Sequence, residues 1–178
     1  MNISRNFCLG VGLLIVLIIP GNTFAHAGEE SDAEASADLS PEGRAVVTAL
    51  ESFAAAFQAS DIEQMHRLTL ADGQFSHFEG AFADWSWESY ANHLAEEMPL
   101  FTDTRYLVTN VRPTTDENIA FATYDWAMDV VVVSEKFEGG RHPVSMSGIG
   151  TAVLVKSGTE WKIRHLHTAR TKENPAEH

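Results

Sequence analysis

Ser-Gly-Ile-Gly-Thr-Ala-Val-Leu-Val-Lys-Ser-Gly-Thr-Glu-Trp-Lys-Ile-Arg-His-Leu-His-Thr-Ala, residues 147–169, is the stretch on which the fold turns. Two β-rich runs flank Lys156-Ser157-Gly158-Thr159-Glu160, a short loop containing glycine, so the stretch is a hairpin by its strand and turn chemistry. Side chains alternate along a strand, which places Trp161, Ile163, His165, His167 and Ala169 on one face and Lys162, Arg164, Leu166 and Thr168 on the other. The first face is apolar where the strand begins and imidazole-bearing where it ends. Such a strand is expected to close a core and then line a cavity.

Working back from the hairpin, residues 104–111, 119–133 and 144–155 are also rich in Val, Ile, Thr, Tyr and Trp, with turn-rich breaks at 112–118 and 138–143. Arg141-His142-Pro143 falls in the second break and is expected in a surface turn. The earlier chain reads as helix. Ser40-Pro41 supplies an N-cap and a first-turn proline, and Val46, Leu50, Phe53 and Phe57 follow at helical spacing. Asp61 caps a shorter helix with Ile62, Met65 and Leu68 inward, ended by Asp72-Gly73. Ser86 caps a third, with Trp87, Ala91, Leu94 and Met98 as its apolar stripe, and Pro99 stops it. Tyr90, His93 and Glu97 form the neighbouring stripe of that helix. Residues 74–79 make a short strand with Phe75, His77 and Glu79 on one side. Helices first and a four-stranded antiparallel meander afterwards is a segregated α+β pattern.

The ends of the chain carry different information. Arg5, an apolar run over residues 7–19, Pro20-Gly21 and Ala25-His26-Ala27 follow the order of a secretory signal, so cleavage is expected after Ala27 or, as an alternative, after Ala25. Residues 28–40 are an acidic leader without a large apolar side chain until Leu39, residues 41–171 the folded domain, and residues 172–178 a flexible tail. The expected location is therefore periplasmic or secreted, with no membrane association after cleavage. Cys8, the only cysteine, lies within the signal, so the mature domain has no thiol for catalysis, disulfides or metal ligation. The net charge of −13 becomes one unit more negative when Arg5 leaves, which argues against nucleic acid as a partner.

The chain resembles the SnoaL-like group of the nuclear transport factor 2-like superfamily, which has a cystatin-like α+β cone. The resemblance covers about residues 43–170. It is carried by His77-Phe78-Glu79-Gly80, Asp84-Trp85-Ser86-Trp87-Glu88-Ser89-Tyr90 with His93-Leu94, Gly150-Thr151-Ala152-Val153-Leu154, and the closing Trp161-x-Ile163-x-His165-x-His167 strand. It implies a strongly curved sheet wrapped on a long helix, a pocket at the wide end, and homodimers built by packing sheets back to back. Relatives include polyketide cyclases, ketosteroid isomerases, scytalone dehydratase and non-catalytic association domains. The isomerase and cyclase chemistries need a carboxylate base and an oxyanion donor. Asp125 and Asp129 are unsuited to that role, because they alternate with Tyr124, Trp126 and Met128 and face out if the large apolar set faces in.

The candidate ligand-binding residues are His77, Trp87, Tyr90, His93, Glu97, Trp126, His165 and His167. Imidazoles in a cavity hydrogen-bond a polar ligand, relay protons near neutral pH or ligate a metal. The leading expectation is an exported domain that binds a small, partly apolar molecule, with no cofactor. An alternative is an isomerase, cyclase or lyase with His165 or His167 as base, Tyr90 as donor and Glu97 orienting a ring. Others are a non-catalytic interaction domain, or a metal site drawn from His77, His93, His165 and His167, although no strong metal spacing is present. Trp85, Trp87, Phe78 and Phe82 are expected in the core or the pocket wall.

Overall fold

The computed structural model describes residues 39–71 and 73–171. The expected signal, the expected leader up to residue 38, Asp72 and the expected tail from residue 172 lie outside those residues. Three helices, α1 (Pro41–Gln58), α2 (Ile62–Arg67) and α3 (Trp87–Glu97), precede the long strands β3 (Phe101–Asp116), β4 (Ile119–Val133), β5 (Arg141–Ser157) and β6 (Glu160–Arg170). A short hairpin of β1 (Ser76–Glu79) and β2 (Phe82–Asp84) separates α2 from α3.

Each helix begins where its capping chemistry places it. Ser40 Oγ accepts from the Gly43 N–H at 3.0 Å, Asp61 from Gln64 at 2.8 Å and Ser86 from Ser89 at 3.1 Å. Helix α1 buries Val46, Leu50, Phe53 and Ala56 along one stripe, and this stripe lies against Ala120, Ala122, Ala152, Leu154, Trp161 and Ile163 of the sheet. Glu42 ties the start of α1 to the final hairpin, accepting from Trp161 Nε1 at 2.9 Å and Lys156 Nζ at 2.6 Å.

The sheet has the order β2-β1-β6-β5-β4-β3. The meander from β3 to β6 is antiparallel, as expected, but two further strands extend it: β1 runs parallel to β6, with His77 beside Leu166 and Phe78 beside His167. Strand β3 also runs on to Asp116, because Arg112 to Asp116 pair with Thr123 to Ile119, and the break shrinks to Glu117-Asn118. Arg141, His142 and Pro143 belong to β5, opposite Val133, Val132 and Val131, rather than to a turn. Two bulges bend β3 around α1, each with a residue at positive φ, Asp103 at 54° and Asn110 at 50°. Asp and Asn tolerate that conformation better than other side chains, and bulges are how antiparallel sheets curve.

One expectation fails, and the cause is local. Register along β6 slips where Leu154 pairs with Ile163 and Val153 with His165, so Arg164 is an extra residue. Before the bulge Trp161 and Ile163 are buried; after it Leu166 and Thr168 are buried, while His165 and His167 turn to the outer, convex face. Strict alternation would have left Leu166 in water. Burying a leucine is worth about 1.5–3 kcal/mol, and an imidazole in its place would need a hydrogen-bond partner, so the slip is the favoured solution. Asp125 and Asp129 do face out, bonded to Asn110 at 2.9 Å and Ser145 at 2.7 Å. Trp85 and Phe82 are 72% and 64% exposed, against the expectation that they join the core or the pocket wall.

Candidate functional site

Between α1 and the concave face of the sheet lies a recess of about 360 Å³, counting its open mouth. Only about 30 Å³ of it is enclosed, room for about two water molecules, so a small molecule has to enter through the mouth and widen the recess. Leu50 and Phe53 from α1 and Val108 from β3 form apolar walls. Polar atoms enter from five elements: His77 from β1, Tyr90 from α3, Tyr106 from β3, Tyr124 from β4 and Thr168 from β6.

The three phenols share one environment. Burial pushes the Tyr90, Tyr106 and Tyr124 hydroxyls well above the usual phenol range, helped for Tyr90 by Tyr106 and Glu79 and for Tyr106 by Tyr124 and Glu79. They stay protonated and act as hydrogen-bond donors. No described residue hydrogen-bonds these hydroxyls, nor that of Thr168. Their rings are held firmly. Tyr106 lies against Phe57, with ring centroids 5.0 Å apart, and stacks on Trp126 at 6.3 Å. Tyr124 lies across Gly150, where a Cβ would sit 2.2 Å from the tyrosine Cζ. Trp126 crosses Gly148 in the same manner and donates to the Ile149 carbonyl at 3.3 Å.

Behind His77 lies a buried carboxylate network. Asp84 Oδ1 accepts from the Ser89 hydroxyl at 2.6 Å, and Oδ2 faces His93 Nδ1 at 3.2 Å and His77 Nδ1 at 3.9 Å. The last distance is that of an ion pair rather than a hydrogen bond, and His77 Nδ1 has no hydrogen-bond partner. His93 Nε2 faces Glu97 Oε1 at 3.2 Å, near the surface. His77, then Ser89 and His93, hold the Asp84 carboxyl at about 2 against the opposing effect of burial. Glu97, then Asp84, raises His93 to about 9.

The sequence model of the SnoaL-like domain matches residues 46–169. The chain belongs to this family. Among solved structures, this SnoaL-like chain is similar to a protein described as a candidate scytalone dehydratase from Novosphingobium aromaticivorans, with a TM-score of 0.66 and 15% identity over 82% of this chain and 98% of that one. It is similar to a nuclear transport factor 2-like protein from Salmonella enterica, with a TM-score of 0.63 and 16% identity over 76% and 96%. A ketosteroid isomerase-like protein from Erwinia carotovora gives 0.60 and 17% over 76% and 100%. At these identities the likeness establishes the fold. A comparison with curated protein sequences returns no match.

Of the residues expected at the SnoaL-like site, only His77 and Tyr90 line the recess. His93 and Glu97 stand behind them, on the far side of Asp84. Trp87 is a core residue, edge-on to Phe75 and stacked on His66 at 4.7 Å, and Trp126 is buried beneath Tyr106. His165 and His167 are outside, where His165 Nδ1 meets Ser76 Oγ at 2.9 Å and both rings lie edge-on to Phe78. Among the described residues no group of three or more His, Cys, Asp or Glu side chains is arranged to hold a metal. Likewise, no helix among them is long and apolar enough to cross a membrane.

Tyr106, Tyr124, Thr168 and Asp84 were absent from the expected site. One signal for Tyr124 was available: the Gly148-x-Gly150 pair on a strand marks a bare patch on which neighbouring rings can lie. Another lay in Leu166, an apolar residue stranded on a face of Lys and Arg, which signals a phase change along the strand.

Proposed function

We propose that the recess binds a small, partly apolar molecule through an oxygen that accepts hydrogen bonds from the Tyr90, Tyr106 and Tyr124 phenols. The observation that carries this reading is the set of hydroxyls without protein partners that line one recess. A ligand oxygen takes up hydrogen bonds that these phenols otherwise give to water, each worth about 0.5–1.5 kcal/mol net. The expected result is that oxygenated monocyclic compounds raise the melting temperature, and that Tyr106→Phe or Tyr124→Phe weakens binding roughly 2- to 10-fold, the worth of one neutral hydrogen bond. Ligands that map to the outer sheet face by chemical-shift perturbation would overturn it.

A proton-transfer activity of the isomerase, cyclase or lyase class is the second reading. The favouring observation is a histidine across the same recess from neutral phenols, which pairs a base with donors for a developing oxyanion. The base is then His77, not His165 or His167. The named likenesses to a ketosteroid isomerase-like protein and a candidate scytalone dehydratase agree with this class. Deuterium exchange at the α-carbon of a bound ketone, lost in His77→Gln, would support it; equal exchange in the variant would count against it.

The same proposal includes export, with residues 1–27 removed, and a homodimer through the outer sheet face. Ile119 and Phe121 of β4 and Ile149 of β5 are about half exposed there, at 57%, 47% and 57%. Light scattering should give a dimer that Phe121→Asp dissociates, and mass spectrometry of the exported protein should begin at residue 28 or 26.

A further inference from the structure

We propose that Asp84 is a positioning residue that fixes the tautomer of His77, so that Nδ1 carries the proton and Nε2 presents its lone pair to the recess. The inference rests on the reading of the recess as the functional site, and the hydrogen-bond inventory of the carboxylate network leads to it. His93 faces a carboxylate oxygen with each ring nitrogen, Asp84 Oδ2 at Nδ1 and Glu97 Oε1 at Nε2, both at 3.2 Å. A neutral imidazole has one N–H, so one of those contacts would set a lone pair against an anion. His93 is therefore an imidazolium, and Asp84 stays a carboxylate beside it.

Three groups surround the Asp84 carboxylate. The Ser89 hydroxyl donates to Oδ1 at 2.6 Å, and Oδ2 is shared between His93 and His77. The nitrogen of His77 that faces this anion is Nδ1, at 3.9 Å and without any other partner. A lone pair there would be repelled by Oδ2, whereas an N–H is attracted and closes to a hydrogen bond with a small ring movement. Apo sites commonly show such contacts long. Proton on Nδ1 means lone pair on Nε2, at the opposite edge of the ring, and the ring itself lines the recess.

No other group competes for Nδ1. Tyr90 of α3 contacts the ring by its face, at 4.4 Å between centroids. His165 of β6 is occupied by Ser76 on the other side of the sheet, and Glu79 on β1 lies two residues along the strand, 3.7 Å from Arg170. Tyr106 and Tyr124 line the recess together with His77, and neither hydroxyl is hydrogen-bonded to its ring.

Why three groups should hold one carboxylate follows. A buried anion with a single weak partner would take up a proton or rotate, and a rotated carboxylate would release the tautomer. Ser89 sits at the third position of α3, and the helix cap at Ser86 holds its backbone N–H at 3.1 Å, so its hydroxyl is placed by the fold. Glu97, half exposed on the last turn of α3, keeps His93 charged and in place.

Long-range nitrogen-15 spectra of the imidazoles in ligand-free protein test the proposal, with His77 assigned by its loss in His77→Gln. In the native chain the pyrrole-type resonance of His77 is expected at Nδ1. Asp84→Asn is expected to move it to Nε2 or to a mixture of both forms, and Ser89→Ala, which leaves the Ser86 cap intact, to keep Nδ1–H but with faster solvent exchange. A native His77 protonated at Nε2, or an Asp84→Asn or Ser89→Ala protein with an unaltered spectrum, overturns the proposal. If Asp84→Asn does not fold, the native tautomer and Ser89→Ala decide. Ligand binding is scored separately by thermal shift. A bound oxygenated ligand together with an Nε2–H tautomer defeats this inference alone, whereas the expected tautomer without binding defeats the reading of the recess.

Discussion

Two pairs of histidines lie within a few residues of the β1–β6 junction, and the sheet separates them. His77 and His93 are on the concave side, where they flank a carboxylate and only 7% and 21% of the side chains are exposed. His165 and His167 are on the convex side, between Phe78 and water. The residue type is the same, but the surroundings assign opposite behaviour. Glu97, then Asp84, raises His93 to about 9, whereas burial, then His167 and His77, lower His165 below its ordinary value. Histidine content therefore says little about a site until it is known which side of the sheet each ring occupies and whether an anion waits there.

The strongest way to break this contrast is to destroy the concave wall. Gly150→Val places a Cβ 2.2 Å from Tyr124 Cζ, so the ring must leave the recess or β5 must move. The expected cost is about 3 kcal/mol in urea unfolding, at the upper end of what overpacking produces. Thr151→Val, one residue away on the outer face, should stay within about 0.5 kcal/mol. Equal costs at both positions would mean that the concave side has no special packing demand.

Next in size is the pH dependence of the Asp84 network. Asp84 is depressed to about 2 from 3.8, so its contribution is full above the unfolded value and disappears as pH falls through about 2. His93 is raised to about 9 from 6.5, so its contribution is full below 6.5 and declines as pH rises through about 9. Stability from the network is thus greatest between about pH 4.5 and 6.5, with an acid limb worth about 2 kcal/mol. The two limbs are coupled and do not add. Urea midpoints across pH should show both limbs; Asp84→Asn should flatten the acid one and His93→Gln the alkaline one. No flattening in either variant would place the pH dependence elsewhere.

This contrast also explains what the sequence could show. Helix starts were legible because Ser40, Asp61 and Ser86 act within three residues of themselves. Strand β4 was legible to the residue, since its apolar alternation runs unbroken from Ala120 to Trp126. The outward turn of Asp125 and Asp129 followed from the same alternation. The site was less legible because it depends on long-range register. Arg164 becomes a bulge through what β5 and the core require, and within residues 161–169 only Leu166, apolar on a face of Lys and Arg, points to the slip without saying where it falls. Asp84 reads as the approach to a helix cap; its role depends on β1 pairing with both β2 and β6. Tyr106 and Tyr124 are ordinary strand residues until α1 closes over them.

Smaller effects sharpen the comparison. Tyr106→Phe and Tyr124→Phe remove hydroxyls that no described residue bonds, so ligand-free stability should change by less than about 1 kcal/mol. A substantial loss in either variant would reveal a partner for that hydroxyl. Ser89→Ala should instead lose stability, because that hydroxyl is bonded to Asp84 at 2.6 Å.

The smallest expected effect belongs to His167→Ala. Its ring is exposed and touches Phe78 only edge-on, at 6.3 Å, so at pH 8 stability should stay within about 0.5 kcal/mol of the native chain. The informative measurement is at pH 5. His165 has a lowered pKa, so folding resists its protonation; the stability it confers is intact above 6.5 and declines as pH falls. His167 is the second cause of that lowering, after burial, through repulsion between two imidazolium charges. Its removal should therefore make the chain relatively more stable at pH 5 than at pH 8, with ligand binding in the recess unchanged. A loss of binding in this variant would place the outer pair in contact with the site after all, and with that the division of labour between the two faces of the sheet would fail.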